Sequence, residues 1–190
     1  MHAGRGTIEL NSWCPDVLVH LTLEFLGVES YLGIDLRTST RVDCCLLQRT
    51  EDGKFTVSTN SKEIGSAYGE EDCVRDWPQG CNLVAACISQ CLTLVQRPGL
   101  REVSRAERLE RLKLSLKTRH GTEVRAAQPD KLYREFWDRT QQQPFPSTFR
   151  ERKRHYQVLV ITLCEHMGID SAQALPLADA LLLAVHASGV

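Results

Sequence analysis

The first half of the chain alternates apolar and polar residues with the period of two that half-buried strands have. Leu32–Leu36 carries this alternation over a short stretch and predicts a strand. Residues 41–49 and 54–60 alternate in the same way on both sides of a turn that contains Asp52-Gly53, so they predict a β-hairpin. Together these elements predict a small antiparallel meander.

Residues 17–26 fit two kinds of structure. Their apolar and polar side chains alternate without a break, which favours a strand. A helix that begins at Pro15 and ends at Gly27 fits the same residues nearly as well. We favour the strand because of the unbroken alternation, and the helix remains the alternative.

After residue 80 the apolar residues recur every three or four positions, which is the period of amphipathic helices. One such helix is predicted over residues 84–95 and ends before Pro98-Gly99. Capping boxes, in which a hydroxyl and a carboxylate satisfy free backbone amides, begin two more helices over residues 104–119 and 148–167. The second half of the chain is therefore predicted to be helical.

Two shorter helices complete the prediction. Asp130 begins an aromatic helix, and Asp170 begins a last helix whose leucines face inward. The whole pattern predicts an α+β fold, in which a small antiparallel β-meander packs against four to five α-helices. Residues 1–100 form the α+β part and residues 101–190 the helical part, and we expect both to pack as one compact unit.

The composition is that of a globular protein. The chain has 190 residues and a mass of 21.4 kDa, with 42% hydrophobic and 25% charged residues. A chain of this length buries about 70% of the surface of its unfolded state, so it forms a core without disulfide bonds. This balance excludes wholesale disorder and collagen-like sequence. The longest apolar run, Leu175–Val185, contains Asp179 and is too short to span a bilayer.

The eight cysteines are predicted to be free thiols. Residues 1–10 lack the apolar core of a signal peptide, which indicates a reducing compartment, either cytoplasm or nucleus. No Cys-x-x-Cys pair is present, so the spacing of a structural zinc site is missing. We predict no metal and no cofactor. Cys87 and Cys91 lie on the apolar face of the predicted helix and are assigned to the core.

Cys73 lies in a segment of different character. The run Cys73-Val-Arg-Asp-Trp77-Pro78, followed by the predicted helix and Pro98, resembles a ubiquitin-conjugating domain, in which a strand meander precedes the active cysteine. The resemblance implies a reactive thiol at Cys73. Only 17 residues separate Phe55 from Cys73, and the His-Pro-Asn segment of that family is absent. We therefore favour a surface-loop cysteine and retain a thiol enzyme as an alternative.

A second resemblance concerns Gly33-Ile-Asp35-Leu36 and the following residues 37–40. This segment is similar to the first phosphate loop of actin-like ATPases, but Arg37 replaces the second glycine. A glycine and an aspartate at the end of an edge strand explain the segment better. Walker, Rossmann and Gly-x-Ser-x-Gly patterns are missing from the chain.

The net charge of −1 conceals an uneven distribution. Residues 1–99 carry 8 Lys or Arg and 13 Asp or Glu, whereas residues 100–158 carry 15 and 8. The densest cationic run, here called the basic segment, consists of Arg150, Arg152, Lys153 and Arg154. It lies in the first turns of its predicted helix, where cations oppose the helix dipole. An anionic partner surface accounts for cations at this place, with Tyr156 as a side chain that stacks on nucleic acid, and a plain solvated helical face is the alternative.

These observations lead to one main functional hypothesis and two alternatives. The main hypothesis is a non-catalytic protein-interaction module, a subunit or adaptor of an intracellular complex, because catalytic motifs are missing and charge is asymmetric. The first alternative is a nucleic-acid-binding subunit that uses the basic segment, since phosphates attract clustered Lys and Arg. The second is a thiol enzyme that uses Cys73. We expect protein partners, with nucleic acid as the other possibility.

Overall fold

The structure is a computed structural model of the chain. It describes residues 28–36, 41–63, 72, 74, 81–90, 105–140 and 145–189. The alternative of strand or helix at residues 17–26 lies outside these ranges. Cys73 and Cys91 lie outside them as well.

Five strands of the described chain form one mixed sheet in the order β3-β2-β1-β4-β5. The strands are β1 (Glu29–Asp35), β2 (Arg41–Arg49), β3 (Phe55–Glu63), β4 (Asn82–Ser89) and β5 (Glu123–Ala127). Strands β1, β2 and β3 are antiparallel neighbours, whereas β4 and β5 run parallel to β1. The predicted antiparallel meander is confirmed, and β1 lies in the middle of the sheet rather than at its edge.

The β2–β3 hairpin forms where the turn residues predict it. Gly53 has a φ of 79°, in the left-handed region that glycine enters without steric cost, and its amide donates to the Thr50 carbonyl at 2.9 Å. Arg49 pairs with Phe55 directly beyond the turn. The local turn chemistry is thus sufficient to set the register of these two strands.

The predicted helix over residues 84–95 is wrong in its described part, because Asn82–Ser89 is the strand β4. This strand is covered on both faces, and its apolar residues therefore run almost continuously. A continuous apolar run satisfies the spacing of a buried helix as well as that of a buried strand. The resemblance to a ubiquitin-conjugating domain included a helix at this place and is not retained. Cys87 is fully buried, as predicted.

The described helices include α1 (Arg105–His120), α2 (Pro129–Thr140), α3 (Phe149–Met167), the short α4 (Ser171–Ala174) and α5 (Ala178–Ser188), with a 3-10 turn at Leu175–Leu177. Two predicted caps are confirmed, Thr148 before α3 and Asp170 before α4, whereas α5 begins without a side-chain cap. The Thr148 hydroxyl accepts a hydrogen bond from the Glu151 amide at 3.3 Å and begins α3. Gly168, at a φ of 70°, ends it. Strand β5, between α1 and α2, was missed because it is short and largely exposed.

Helices cover both faces of the sheet. On one face, Leu112 and Leu116 of α1 are fully buried against residues such as Leu32 and Ile34 of β1. On the other face, helices α2, α3 and α5 pack over a second cluster to which Tyr31 of β1 belongs. The sheet therefore separates two cores, and its central strands are buried on both sides.

The α+β class is confirmed, with the meander extended by two parallel strands. Strand β5 belongs to the helical part predicted for residues 101–190, and it pairs with β4 of the part predicted for residues 1–100. The division of the chain at residue 100 stays a prediction. No helix in the described ranges is long and apolar enough to cross a membrane.

Candidate active site

Strand β1 ends in a buried carboxyl group. Asp35 is its last residue, only 7% exposed, and by alternation it shares a sheet face with Tyr31 and Gly33. Its register partner on β2 is Asp43, which is also 7% exposed. Side chains of directly paired residues lie on the same face, about 5 Å apart at Cβ. Burying two neighbouring carboxyl groups costs free energy, so the burial of both at this end of the sheet requires a chemical explanation.

Helix α5 approaches β1 unusually closely at Gly33. A Cβ atom at this position would lie 2.5 Å from the Ala184 nitrogen and would also collide with the Ala180 carbonyl. The two helix residues that face Gly33 are themselves small and fully buried. Glycine at position 33 thus lets the backbone of α5 rest directly on β1. Asp179, the residue before Ala180, is thereby placed near Asp35.

Asp179 and Asp35 interact electrostatically. Burial, and in second place the negative charge of Asp35, raises the pKa of the Asp179 carboxyl from 3.8 to about 7. The Tyr156 hydroxyl of α3 donates a hydrogen bond to Asp179 Oδ1. Asp35 and Asp179, here called the acid pair, therefore form a partly desolvated site whose two charges oppose each other.

Hydrogen bonds fix the strand ends around the acid pair. The Leu36 amide donates to the Ser89 hydroxyl at 2.7 Å, which ties the carboxyl ends of β1 and β4 together. Asp43 accepts from the Ser61 hydroxyl at 2.6 Å and pairs with the Arg41 guanidinium at 2.8 Å. Asp43 is thus compensated by a cation on its own strand, whereas the charge of Asp35 acts on Asp179.

The chemistry of the acid pair suits a divalent cation with hard oxygen ligands. Mg²⁺ is commonly bound by one or two carboxylates together with substrate phosphates. Within the described ranges, no three or more His, Cys, Asp or Glu side chains are grouped so as to hold a metal ion. Two carboxyl groups supply only part of the ligands of such a cation.

The structure brings the predicted basic segment close to the acid pair through one helix. All four of its cations are exposed on the first two turns of α3. Tyr156, which the sequence suggested as a stacking side chain, is half-buried, and it is the residue that contacts Asp179. The basic segment and Tyr156, the residue that contacts Asp179, therefore lie within about two turns of each other on α3.

Sequence reasoning noticed both members of the acid pair without connecting them. Asp35 was assigned to the end of an edge strand, which is wrong because β1 has β2 and β4 as neighbours. Asp179 was recorded as the one charge inside the apolar run Leu175–Val185. A charge within an otherwise apolar helix was the available signal, since isolated buried charges are expensive.

The described cysteines lie in the core or near it. Cys44, Cys45, Cys81, Cys87 and Cys164 form no disulfide bond. Burial raises the pKa of Cys87 to about 12 and also raises that of Cys45. Reactive cysteines require a lowered pKa, so these buried thiols are structural. The alternative of a thiol enzyme depends on Cys73 alone.

Comparison with known proteins finds similarity only among solved structures. No family model matches the sequence, and no curated protein is similar to it. The yeast mitochondrial Holliday junction resolvase Ydc2 is 15% identical, with a TM-score of 0.46, over 91% of this chain and 84% of that chain. The fowlpox virus Holliday junction resolvase is 9% identical, with a TM-score of 0.46, over 84% of this chain and 95% of that chain. Its complex with junction DNA is 10% identical, with a TM-score of 0.45 and the same coverage.

These similarities correct the main functional hypothesis. The three solved structures named above are resolvases, and the prediction of a non-catalytic interaction module, adaptor or complex subunit is not retained. At 9–15% identity and TM-scores of 0.45–0.46, the similarity assigns neither an activity to this chain nor a role to any residue. The function must therefore be argued from the site itself.

Proposed function

We propose that the protein is a nucleic-acid-processing enzyme, a phosphodiester hydrolase that depends on a divalent cation. The observation that carries this proposal is the acid pair, in which Gly33 and α5 bring Asp35 and Asp179 together at the carboxyl end of β1. The proposal departs from the sequence-based prediction that the protein has no metal and no cofactor.

Asp35 and Asp179 would hold the cation. Without one, burial, and in second place the charge of Asp35, keeps Asp179 largely protonated below a pH of about 7. A divalent cation favours the ionised form of both groups, so cation binding and release of the Asp179 proton are coupled. When bound, such a cation polarises a phosphoryl oxygen of the substrate. The two carboxylates orient it from two different elements, β1 and α5.

The basic segment supports nucleic acid as the substrate class. Its four exposed cations lie at the start of α3, where the helix dipole disfavours positive charge by about 0.3–1 kcal/mol per residue. A phosphate backbone bound there compensates this cost and releases counterions. Because Tyr156 of the same helix contacts Asp179, a strand that follows α3 from the basic segment reaches the acid pair. Phosphate contacts of this kind position a nucleic acid without reading its sequence.

We infer the cellular location of the protein and its protein partners from the sequence alone. The cysteine content is typical of a protein of the cytoplasm or nucleus. Nothing in the described part of the site favours a second function.

Cleavage assays with the full chain test the proposed function. A labelled four-way DNA junction, a duplex and a single strand are each incubated with the protein in Mg²⁺, in Mn²⁺ and in EDTA. We expect cation-dependent cleavage of at least one substrate, and a loss of at least about 100-fold in Asp35→Asn and Asp179→Asn, since removal of an electrostatic catalytic group costs about that much. The matched control is Glu135→Gln, an exposed carboxyl on α2 that should leave the rate unchanged.

Two results would overturn the proposal. One is the absence of cleavage of all three substrates by the wild-type protein with either cation. The other is cleavage that survives in both acid-pair variants, which would show that a contaminating nuclease or a different site is responsible.

A further inference from the structure

The hydroxyl group of Tyr156 is the direct link between α3 and the acid pair. It donates its hydrogen bond to Asp179 Oδ1 across 23 positions of sequence, from the second turn of α3 to the first turn of α5. A phenol is uncharged at neutral pH, so it orients a carboxylate without neutralising it. The bond to Oδ1 restricts the orientation of the whole Asp179 carboxyl group.

The ring of Tyr156 is held by other aromatic side chains. Its centroid lies 4.8 Å from that of Tyr133, with the two planes inclined at 65°. Tyr133 in turn contacts Phe145 at 5.3 Å and Trp137 at 6.1 Å between centroids. The contact between Tyr156 and Tyr133 is edge-to-face, a geometry that aromatic pairs prefer. The hydroxyl position is therefore determined by the packing of α2 against α3.

The same helix carries the basic segment one turn away. Arg152 and Lys153 lie four and three residues before Tyr156, on the neighbouring part of the helix surface. The backbone at Arg152 is tied to α2, because the Tyr133 hydroxyl donates to the Arg152 carbonyl at 3.3 Å. The basic segment and the hydroxyl that contacts Asp179 thus lie within about two turns of each other on α3.

From this juxtaposition we propose that Tyr156 is a positioning residue. It orients the Asp179 carboxylate toward the cation and holds it at a fixed position relative to nucleic acid bound along α3. The inference rests on the proposed function, since it assigns a role within that same site. It replaces the expectation that Tyr156 stacks on a partner. Groups that hydrogen-bond a ligand of a cation affect cation affinity or activity by about 10–100-fold when removed.

Tyr156→Phe removes the hydroxyl and retains the ring, and Tyr133→Phe is its matched control. Both residues belong to the same aromatic cluster, and both hydroxyls donate to an oxygen atom within the protein, but only Tyr156 reaches the acid pair. We expect both variants to lose a similar amount of melting temperature, about 2–4 °C for one hydrogen bond in a chain of this size.

Cation affinity separates a positioning role from a structural one. Calorimetric titration of the full chain with Mn²⁺ alone, without nucleic acid, should show affinity reduced about 10–100-fold in Tyr156→Phe and changed by less than about 2-fold in Tyr133→Phe. In cleavage assays, kcat of Tyr156→Phe at a fixed Mn²⁺ concentration should fall while the KM for DNA changes little.

Each outcome has a definite meaning. Wild-type binding of Mn²⁺ together with unchanged affinity in Tyr156→Phe overturns the positioning role and leaves the proposed function intact. Equal losses of affinity in both variants show that the aromatic cluster acts only through stability, and they also overturn it. Failure of the wild-type protein to bind Mn²⁺ and to cleave any substrate overturns the proposed function, and this inference falls with it.

Discussion

Replacing Asp179 with Asn should stabilise the cation-free protein at neutral pH. The folded protein raises the pKa of this carboxyl from 3.8 to about 7, first through burial and then through the charge of Asp35. The folded state therefore binds the proton more tightly than the unfolded chain does, and the unfolding free energy decreases as pH rises between those two values. Asn has no charge to bury and still offers Oδ1 to the Tyr156 hydroxyl.

The size of the effect follows from the shift in pKa. Each pKa unit corresponds to about 1.4 kcal/mol, so the ionised carboxyl costs of the order of 4 kcal/mol once the pH exceeds 7. Below pH 3.8 both states are protonated and this cost vanishes. The stability advantage of Asp179→Asn should therefore be small at pH 4 and should grow by about 1.4 kcal/mol per pH unit until about pH 7.

Urea unfolding in EDTA at several pH values between 4 and 8 measures this difference. Other titrating groups are common to both proteins and cancel when the variant is compared with the wild type. Asp35→Asn should lower the pKa of Asp179 and narrow the pH range over which the stability decreases, because it removes the second cause of the shift. Parallel stability curves for the wild type and Asp179→Asn would refute the reasoning, since they would show that the carboxyl is not perturbed.

Three further predictions concern packing and charge. Gly33→Ala should cost about 3 kcal/mol or more of unfolding free energy, because the added methyl collides with the backbone of α5; a denaturation midpoint close to that of the wild type would contradict this contact. Leu116→Ala should cost about 2–5 kcal/mol, whereas Leu114→Ala, at a position 65% exposed on the same helix, should cost under about 0.5 kcal/mol; equal losses in urea would mean that the faces of α1 are misassigned. Changing all four residues of the basic segment to Gln should weaken binding of a DNA duplex. The slope of log affinity against log salt concentration should become shallower by up to about 0.9 per lost phosphate contact. The melting temperature should be equal or slightly higher. A marked fall in melting temperature would indicate internal ion pairs instead.

Local signals in the sequence were sufficient for the hairpin and for the ends of α3. A turn glycine needs a positive φ, as at Gly53, and a hydroxyl cap needs a free amide, as at Thr148. Both requirements involve atoms within a few residues. Such features do not depend on contacts with distant parts of the chain, so they can be predicted without knowledge of the fold.

The strand β4 and the acid pair were decided by tertiary structure. An apolar run such as Leu83–Ile88 is compatible with a buried helix or a buried strand, and only its place between β1 and β5 makes it a strand. Asp35 and Asp179 lie at opposite ends of the described chain, and no local pattern relates them. Because glycine has no side chain, α5 lies directly on β1 at Gly33, and the two carboxyl groups come together. Tyr156 reaches Asp179 only because α2 and α3 pack around it. The sequence by itself determined where turns and helix ends form, because these features depend on backbone geometry within a few residues. The site was decided by the tertiary structure, because it depends on which distant surfaces pack closely enough for their charges to interact.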